Sequence, residues 1–147
     1  MIRERKKSND ILYFCTLIEF IARKTHLTVK EVIEYFSVED INNELQDAEI
    51  NHCSSFEEVS DEIIERYGIS YDNQAYDINS FPSFLKIGFV YKNLVEDISD
   101  NNDIAQNIKN VFSSFISDEI SNYESDVYYS SSEYLKNCFL TGKLIDD

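Results

Sequence analysis

The most apolar stretch of the chain is residues 9–22, NDILYFCTLIEFIA. Its apolar side chains recur at helical spacing and are Ile11, Leu12, Phe14, Cys15, Ile18, Ile21 and Ala22. Asp10, Thr16 and Glu19 fall on the opposite side of such a helix. A stripe this wide predicts a helix that its neighbours cover from more than one direction. We expect the shorter helices that follow to pack onto it.

Capping patterns divide the next part of the chain into three short helices. A Ser or Thr followed three residues later by an acidic residue opens each of them, at residues 28–31, 37–40 and 55–58. Such pairs satisfy the free backbone N–H groups at a helix N-terminus. Gly68 is suited to end the last of the three. Residues 46–54 show no regular pattern and are predicted to be irregular.

Helical spacing continues in the second half of the chain. We predict helices over residues 82–98 and 104–123, the second capped by Asn101 or Asn102, and a last helix that ends at Gly142. Pro82 suits the first turn of the first of these. Gly88 lies inside the same helix, at a cost of roughly 1 kcal/mol against alanine. Close contact with another helix is the usual reason for such a glycine.

Composition agrees with an all-α fold. The 147 residues include three Gly and one Pro, too few for the many tight turns of a sheet protein. Ser, Asn and Asp, which favour helix N-caps, separate the periodic stretches instead. Apolar residues make up 43% of the chain, which favours a packed core over disorder. We therefore predict an all-α protein with about seven helices in a compact bundle.

The periodic stretches fall into two groups, and this grouping predicts the domain organisation. We assign a basic tail to residues 1–8, an N-terminal helical subdomain to 9–69, a linker to 70–80 and a C-terminal helical subdomain to 81–147. The linker sequence, SYDNQAYDINS, has no period and is rich in turn-forming residues. One compact bundle and two separate subdomains both stay open at this point.

The formal net charge of −15 narrows the choice of partners. The first eight residues carry four basic side chains and one acidic side chain, so the rest of the chain is more acidic still. Such a surface repels nucleic-acid phosphates and anionic lipid, and attracts cationic protein surfaces. We expect neither direct nucleic-acid binding nor membrane binding. The charge is also consistent with a role in solubility alone, and a homo-oligomer stays open.

The cysteines and the first apolar run bear on localisation. Cys15, Cys53 and Cys138 are odd in number and form no CxxC motif, which favours a reducing compartment. The basic start followed by an apolar run is similar to a signal peptide, but Glu19 interrupts the run. At about a dozen residues the run is also shorter than the roughly 20 that span a bilayer. We expect a cytoplasmic protein that is not exported.

Few residues suggest catalysis or metal binding. Glu49 and His52 have the Glu-x-x-His spacing of half a di-metal site, with Cys53 adjacent, but no second such pair occurs. Residues 97–103, DISDNND, have the oxygen density of a calcium loop without its Gly and closing Glu. The sequence contains no Gly-rich phosphate loop and no nucleophile elbow. We expect a protein that is not an enzyme and has no cofactor.

Residues 11–69 resemble a known family in the order of their features. These are an aromatic-rich first helix (LYFCTLIEFIA), a Thr-initiated second helix (LTVKEVIEYF), a turn with His52 (AEINHCSS) and an acidic last helix (FEEVSDEIIERYGI). The family consists of small bacterial helical domains of unknown function that are often encoded beside toxins related to ADP-ribosyltransferases. The resemblance implies a partner or antitoxin of such a toxin.

The expected function is therefore binding of a cationic protein, and the resemblance implies that this neutralises a neighbouring toxin. The residues expected to contact the partner lie in the turn after the third helix and on the acidic helix, and are Asp47, Glu49, His52, Glu57, Glu58, Asp61, Glu62 and Glu65. The alternative is an acidic nucleic-acid mimic that inhibits DNA-binding proteins. A third hypothesis, a metal protein or enzyme built on Glu49, His52 and Cys53, predicts bound metal.

Overall fold

The computed structural model describes residues 2–72, 74–98 and 103–145 and confirms the all-α fold. Within these ranges there are eight α-helices, one short 3-10 helix (Val127–Tyr129) and no strand, against about seven helices predicted. The α-helices are α1 (Ile2–Thr25), α2 (Val29–Glu34), α3 (Val38–Asn51), α4 (Phe56–Tyr67), α5 (Phe84–Ile98), α6 (Ile104–Ser113), α7 (Phe115–Ser121) and α8 (Ser132–Thr141). No helix of the described residues is long and apolar enough to cross a membrane.

Helix α1 is the centre of the bundle, with α2, α3, α4 and α5 all packed against it. Phe14, Cys15 and Ile18 on its apolar stripe are at most 1% exposed, which confirms that the helix is covered from several directions. The polar side is covered as well, because α5 lies along it. Thr16 and Glu19, which lie opposite the apolar stripe, are 1% and 3% exposed.

Three helix boundaries differ from those predicted. Helix α1 begins at Ile2, within the stretch 1–8 that was predicted to be a basic tail, because the Arg, Glu and Lys residues of that stretch are good helix formers. Helix α3 continues to Asn51 through residues predicted to be irregular. Helix α5 begins at Phe84, since Ser83, and not Pro82, accepts the backbone N–H groups of its first turn.

The long helix predicted over residues 104–123 is divided at Ser114. The Ser114 side chain accepts a hydrogen bond from the Ile116 N–H and so starts α7 directly after α6. Asp103 caps α6; the caps predicted for it, Asn101 and Asn102, lie outside the described residues.

Helix caps elsewhere agree with the sequence. Reciprocal capping boxes open α2 at Thr28 and α3 at Ser37, and Ser55 caps α4. Gly68 ends α4 with φ of 64°, in the left-handed region that glycine adopts readily. These local signals therefore set the first three short helices.

The two predicted subdomains share one hydrophobic core. Arg23 of α1 also fastens the chain before α5, donating from Nη1 to the Ile78 and Ser80 carbonyls at 3.3 and 3.1 Å. Its Nη2 donates to the Pro82 carbonyl at 2.6 Å. The division at residues 70–80 into separate folding units stays a prediction.

Candidate functional site

The eight residues predicted to contact a partner lie on the end of α3, in the turn after it and on α4, and all are exposed. The structure divides them into three groups by what their side chains contact. Two are bound to a buried lysine, three form an outward row on α4, and three surround the end of α3. The groups are Glu57 and Asp61; Glu58, Glu62 and Glu65; and Asp47, Glu49 and His52.

Glu57 and Asp61 bind Lys24, a buried residue of α1 that is 5% exposed. The Lys24 Nζ donates to Glu57 Oε1 at 2.8 Å, to Ser60 Oγ at 3.1 Å and to Asp61 Oδ1. Burial lowers the pKa of Lys24, but the hydrogen bonds to Asp61 and Glu57 outweigh this effect and raise it above its usual value. These two carboxylates therefore keep a buried ammonium charged and hold α4 against α1.

Because Glu57 and Asp61 bind Lys24 whereas Glu62 and Glu65 point outward, two matched pairs of substitutions should differ in their effect on the free energy of unfolding. We expect Glu57→Gln with Asp61→Asn to destabilise the fold by about 1–2 kcal/mol, because Lys24 loses both counter-charges while solvent screens the half-exposed carboxylates. Glu62→Gln with Glu65→Gln changes the net charge equally and should alter stability by less than about 0.5 kcal/mol. Urea unfolding followed by circular dichroism compares the two. Equal losses would contradict an internal role for Glu57 and Asp61.

Glu58, Glu62 and Glu65 form a row along the outer side of α4. Their spacing of four and then three residues places them on one face of the helix. Among the side chains that the structure describes, no cation lies within ion-pair distance of these three. Among the described side chains, the lysines and arginines that form ion pairs with carboxylates are Lys6, Arg23, Lys24, Lys30, Arg66 and Lys92. The row therefore presents uncompensated negative charge to solvent.

A cavity of about 660 Å³ opens beside the end of α3. Its lining combines aromatic and aliphatic side chains with Asp10, Glu49 and His52, and includes Leu12, Tyr13, Phe56 and Leu85. The Tyr13 ring lies 4.3 Å from the His52 ring and 5.2 Å from the Phe56 ring. Burial raises the pKa of Tyr13 to about 12, and Glu44 and Glu62 add to this rise.

Lys6 of α1 stands at the rim of this cavity and contacts two carboxylates. Its Nζ lies 2.9 Å from Asp10 Oδ2 and 3.6 Å from Glu49 Oε2. Glu49 and His52 were predicted at a contact surface, but Lys6, Asp10 and Tyr13, some 40 residues away in sequence, were not. Charge pattern within α1 shows the Lys6–Asp10 spacing, but not that Glu49 comes near it.

Asp47 lines a second groove, of about 460 Å³, with the buried Glu44 and with Arg66 and Tyr67 of α4. Glu44 Oε2 accepts hydrogen bonds from Arg66 Nη1 at 2.9 Å and from the Tyr67 hydroxyl at 2.6 Å. Burial and the hydrogen bond to Glu44 raise the pKa of Tyr67. Glu44 was missed in the sequence because a carboxylate is usually exposed, although its spacing from Ile41 and Ala48 places it on the buried face of α3.

Glu49, His52 and Cys53 do not converge on a metal site. His52 is the C-cap residue of α3 and its ring packs on Tyr13, whereas Cys53 is exposed. Within the described part of the chain, no three His, Cys, Asp or Glu residues are placed to hold a metal ion.

Comparison with known proteins matches residues 12–66 to a family model described as a protein of unknown function (DUF3791). The match runs from α1 to α4 and includes all eight residues predicted to contact a partner. No curated protein and no solved structure matches the chain. The N-terminal part of this chain is therefore similar to a domain of unknown function.

Proposed function

We propose that this protein is a non-enzymatic, acidic helical protein that binds a cationic protein partner in the cytoplasm and neutralises it. The partner we propose is a toxin encoded nearby. The observation that carries the proposal is the uncompensated row of Glu58, Glu62 and Glu65 on α4, on a chain with a net charge of −15. Several cations that could have balanced this negative charge form ion pairs with other carboxylates instead; they are Arg23, Lys24 and Arg66.

The row acts first on the rate of association. Carboxylates on one face attract a cationic surface over about 8 Å at physiological salt, and such steering raises association rates by about 10 to 1,000-fold. Lasting contact requires apolar side chains, and Ile50 at the end of α3 and Leu85 of α5 are 72% and 56% exposed. Both side chains are exposed enough to contact a partner.

The proposed antitoxin role rests on the resemblance of residues 11–69 to domains encoded beside ADP-ribosyltransferase-like toxins, and on the acidic surface. A nucleic-acid mimic would need carboxylates arrayed over a longer face. The row from Glu58 to Glu65 rises about 10 Å along the helix, at 1.5 Å per residue, which fits one patch on a protein partner.

The test is capture of the partner from the native cell, followed by kinetics with the purified partner. We expect one stoichiometric cationic protein, whose association rate falls about tenfold when Glu58, Glu62 and Glu65 are replaced by Gln. The control variant replaces Glu34, Glu124 and Glu133, also exposed, by Gln and should change the rate by less than about twofold.

Three other results would count against the proposal. Equal effects of the two triple variants would show that net charge acts without a defined surface. Capture of many unrelated DNA-binding proteins would favour the mimic. Absence of any captured protein at low and at high salt would contradict partner binding.

A further inference from the structure

At the rim of the 660 Å³ cavity, the Lys6 ammonium lies between a buried carboxylate and an exposed one. Asp10 is 9% exposed, so its carboxylate is largely removed from water. Its ion-pair partner, the Lys6 side chain, is 48% exposed and comes from the first turns of α1. The contact from Lys6 to Glu49 is 3.6 Å, longer than a good hydrogen bond. The Lys6 ammonium thus pairs closely with the buried Asp10 carboxylate and only loosely with the exposed Glu49 carboxylate.

The same rim borders mainly apolar walls. Leu12 of α1, Phe56 of α4 and Leu85 of α5 line the cavity, and Leu85 is more than half exposed. The rings of Tyr13 and His52 stand beside them. Aromatic faces and carboxylates together are the surroundings that a guanidinium favours, since it stacks on rings and pairs with carboxylates.

We propose that this cavity binds an arginine side chain of the cationic partner, whose guanidinium replaces Lys6 between Asp10 and Glu49. This inference rests on the proposed function and adds the chemistry of one contact to it. The aliphatic part of the arginine lies along Leu12 and Leu85. The planar guanidinium, with five N–H donors, reaches both carboxylates at once, which the ammonium of Lys6 does not do well.

Lys6 is then a resident competitor that the partner displaces. Its side chain is half exposed, so it can move into solvent without unfolding α1. Until a partner arrives, it keeps the buried Asp10 carboxylate paired, which avoids the cost of an unpaired buried charge. The hydrogen bond to Asp10 raises the pKa of Lys6, so this competitor is charged at neutral pH.

The experiment uses the blocked dipeptide acetyl-Leu-Arg-amide as probe and acetyl-Leu-citrulline-amide as its uncharged match. Titration of the ¹⁵N-labelled full chain by NMR should shift amide signals around Tyr13, His52 and Phe56 with the arginine probe and leave them unchanged with the citrulline probe. Lys6→Met, which keeps the aliphatic stem, should tighten binding about threefold, and Glu49→Gln should weaken it about threefold. Lys30→Met removes a lysine that pairs elsewhere, with Asp118, and should leave affinity unchanged.

Several results would overturn the inference. Equal shifts with the citrulline probe would show that charge is not recognised. Unchanged affinity of the Lys6→Met protein would show that Lys6 does not compete. Shifts confined to Glu58, Glu62 and Glu65 would overturn the arginine site and leave the proposed function standing, because that function is tested separately by the row variant and the captured partner.

Discussion

Replacing Arg23 by alanine is expected to destabilise the protein by about 3–5 kcal/mol, since it leaves a buried carboxylate without its cation. Glu19 is 3% exposed, and its Oε2 accepts hydrogen bonds from Arg23 Nε at 2.8 Å and from the Tyr123 hydroxyl at 2.7 Å. Arg23 also donates to the carbonyls of Ile78, Ser80 and Pro82. The substitution therefore also releases the segment that leads into α5.

The loss of stability in the Arg23→Ala protein should become smaller as pH is lowered. Burial raises the pKa of Glu19, against the opposing effects of Tyr123 and Arg23. Without Arg23 the pKa rises further, so the folded protein binds a proton more readily than the unfolded chain does. Stability then increases as pH falls through the raised pKa of folded Glu19, and the gain is complete below the unfolded value. The Arg23→Ala protein should thus approach the wild type in stability as pH is lowered from neutral towards the usual pKa of a glutamate.

Two variants separate the charge effect from the loss of packing. Glu19→Gln combined with Arg23→Ala removes the buried charge and should recover part of the loss, whereas Arg23→Lys keeps the charge but loses the contacts to the three carbonyls. Urea unfolding at several pH values measures all of them. A loss below about 1 kcal/mol for Arg23→Ala, or one independent of pH, would show that Glu19 does not need this cation.

Local signals explain why much of the fold was predictable. The Thr28, Ser37 and Ser55 caps and the Gly68 C-cap depend on residues three or four positions apart, and each predicted its helix end correctly. The period of residues 9–22 likewise identified the helix at the centre. Such signals act within one element, so the sequence displays them directly.

The boundaries that were wrong depend on more than local pattern. Apolar spacing continues through residues 104–123, so nothing in the period marks the break at Ser114, which follows from one side-chain hydrogen bond. The sequence places Thr16 and Glu19 opposite the apolar stripe of α1 but does not show that α5, some 70 residues later, covers that side. Contacts between residues so far apart in sequence do not show in the spacing of apolar residues within one helix.

The candidate site shows the same limit. Glu57, Glu58, Asp61 and Glu62 are equivalent in composition and local pattern, yet the fold turns two of them towards Lys24 and leaves the other two free of ion pairs among the described side chains. The acidic helix is therefore visible in the sequence, but which of its carboxylates are available to a partner is not. The bridge from Lys6 to Glu49 likewise requires the end of α3 to pack beside α1.

Replacing Gly88 by alanine is expected to destabilise the protein by about 3 kcal/mol, because α5 crosses α1 too closely at this point to admit a side chain. A Cβ built on Gly88 lies 2.8 Å from both the Cα and the Cβ of Thr16, and nearer still to its Oγ1. The neighbour is partly backbone, so a rotamer change cannot make room. The better helix propensity of alanine returns roughly 1 kcal/mol, too little to offset the overlap.

Thr16 provides the test of this explanation. Thr16→Ala alone should leave stability within about 1 kcal/mol of the wild type, since it removes a buried hydroxyl that has no hydrogen-bond partner among the described residues. Combined with Gly88→Ala it should restore part of the loss but not all of it, because the Cα and Cβ of residue 16 stay in contact distance. Thermal unfolding of the two single variants and the double variant measures this coupling. Gly88→Ala with wild-type stability would mean that the helices can separate at this crossing without loss, and full recovery in the double variant would locate the overlap in the hydroxyl alone.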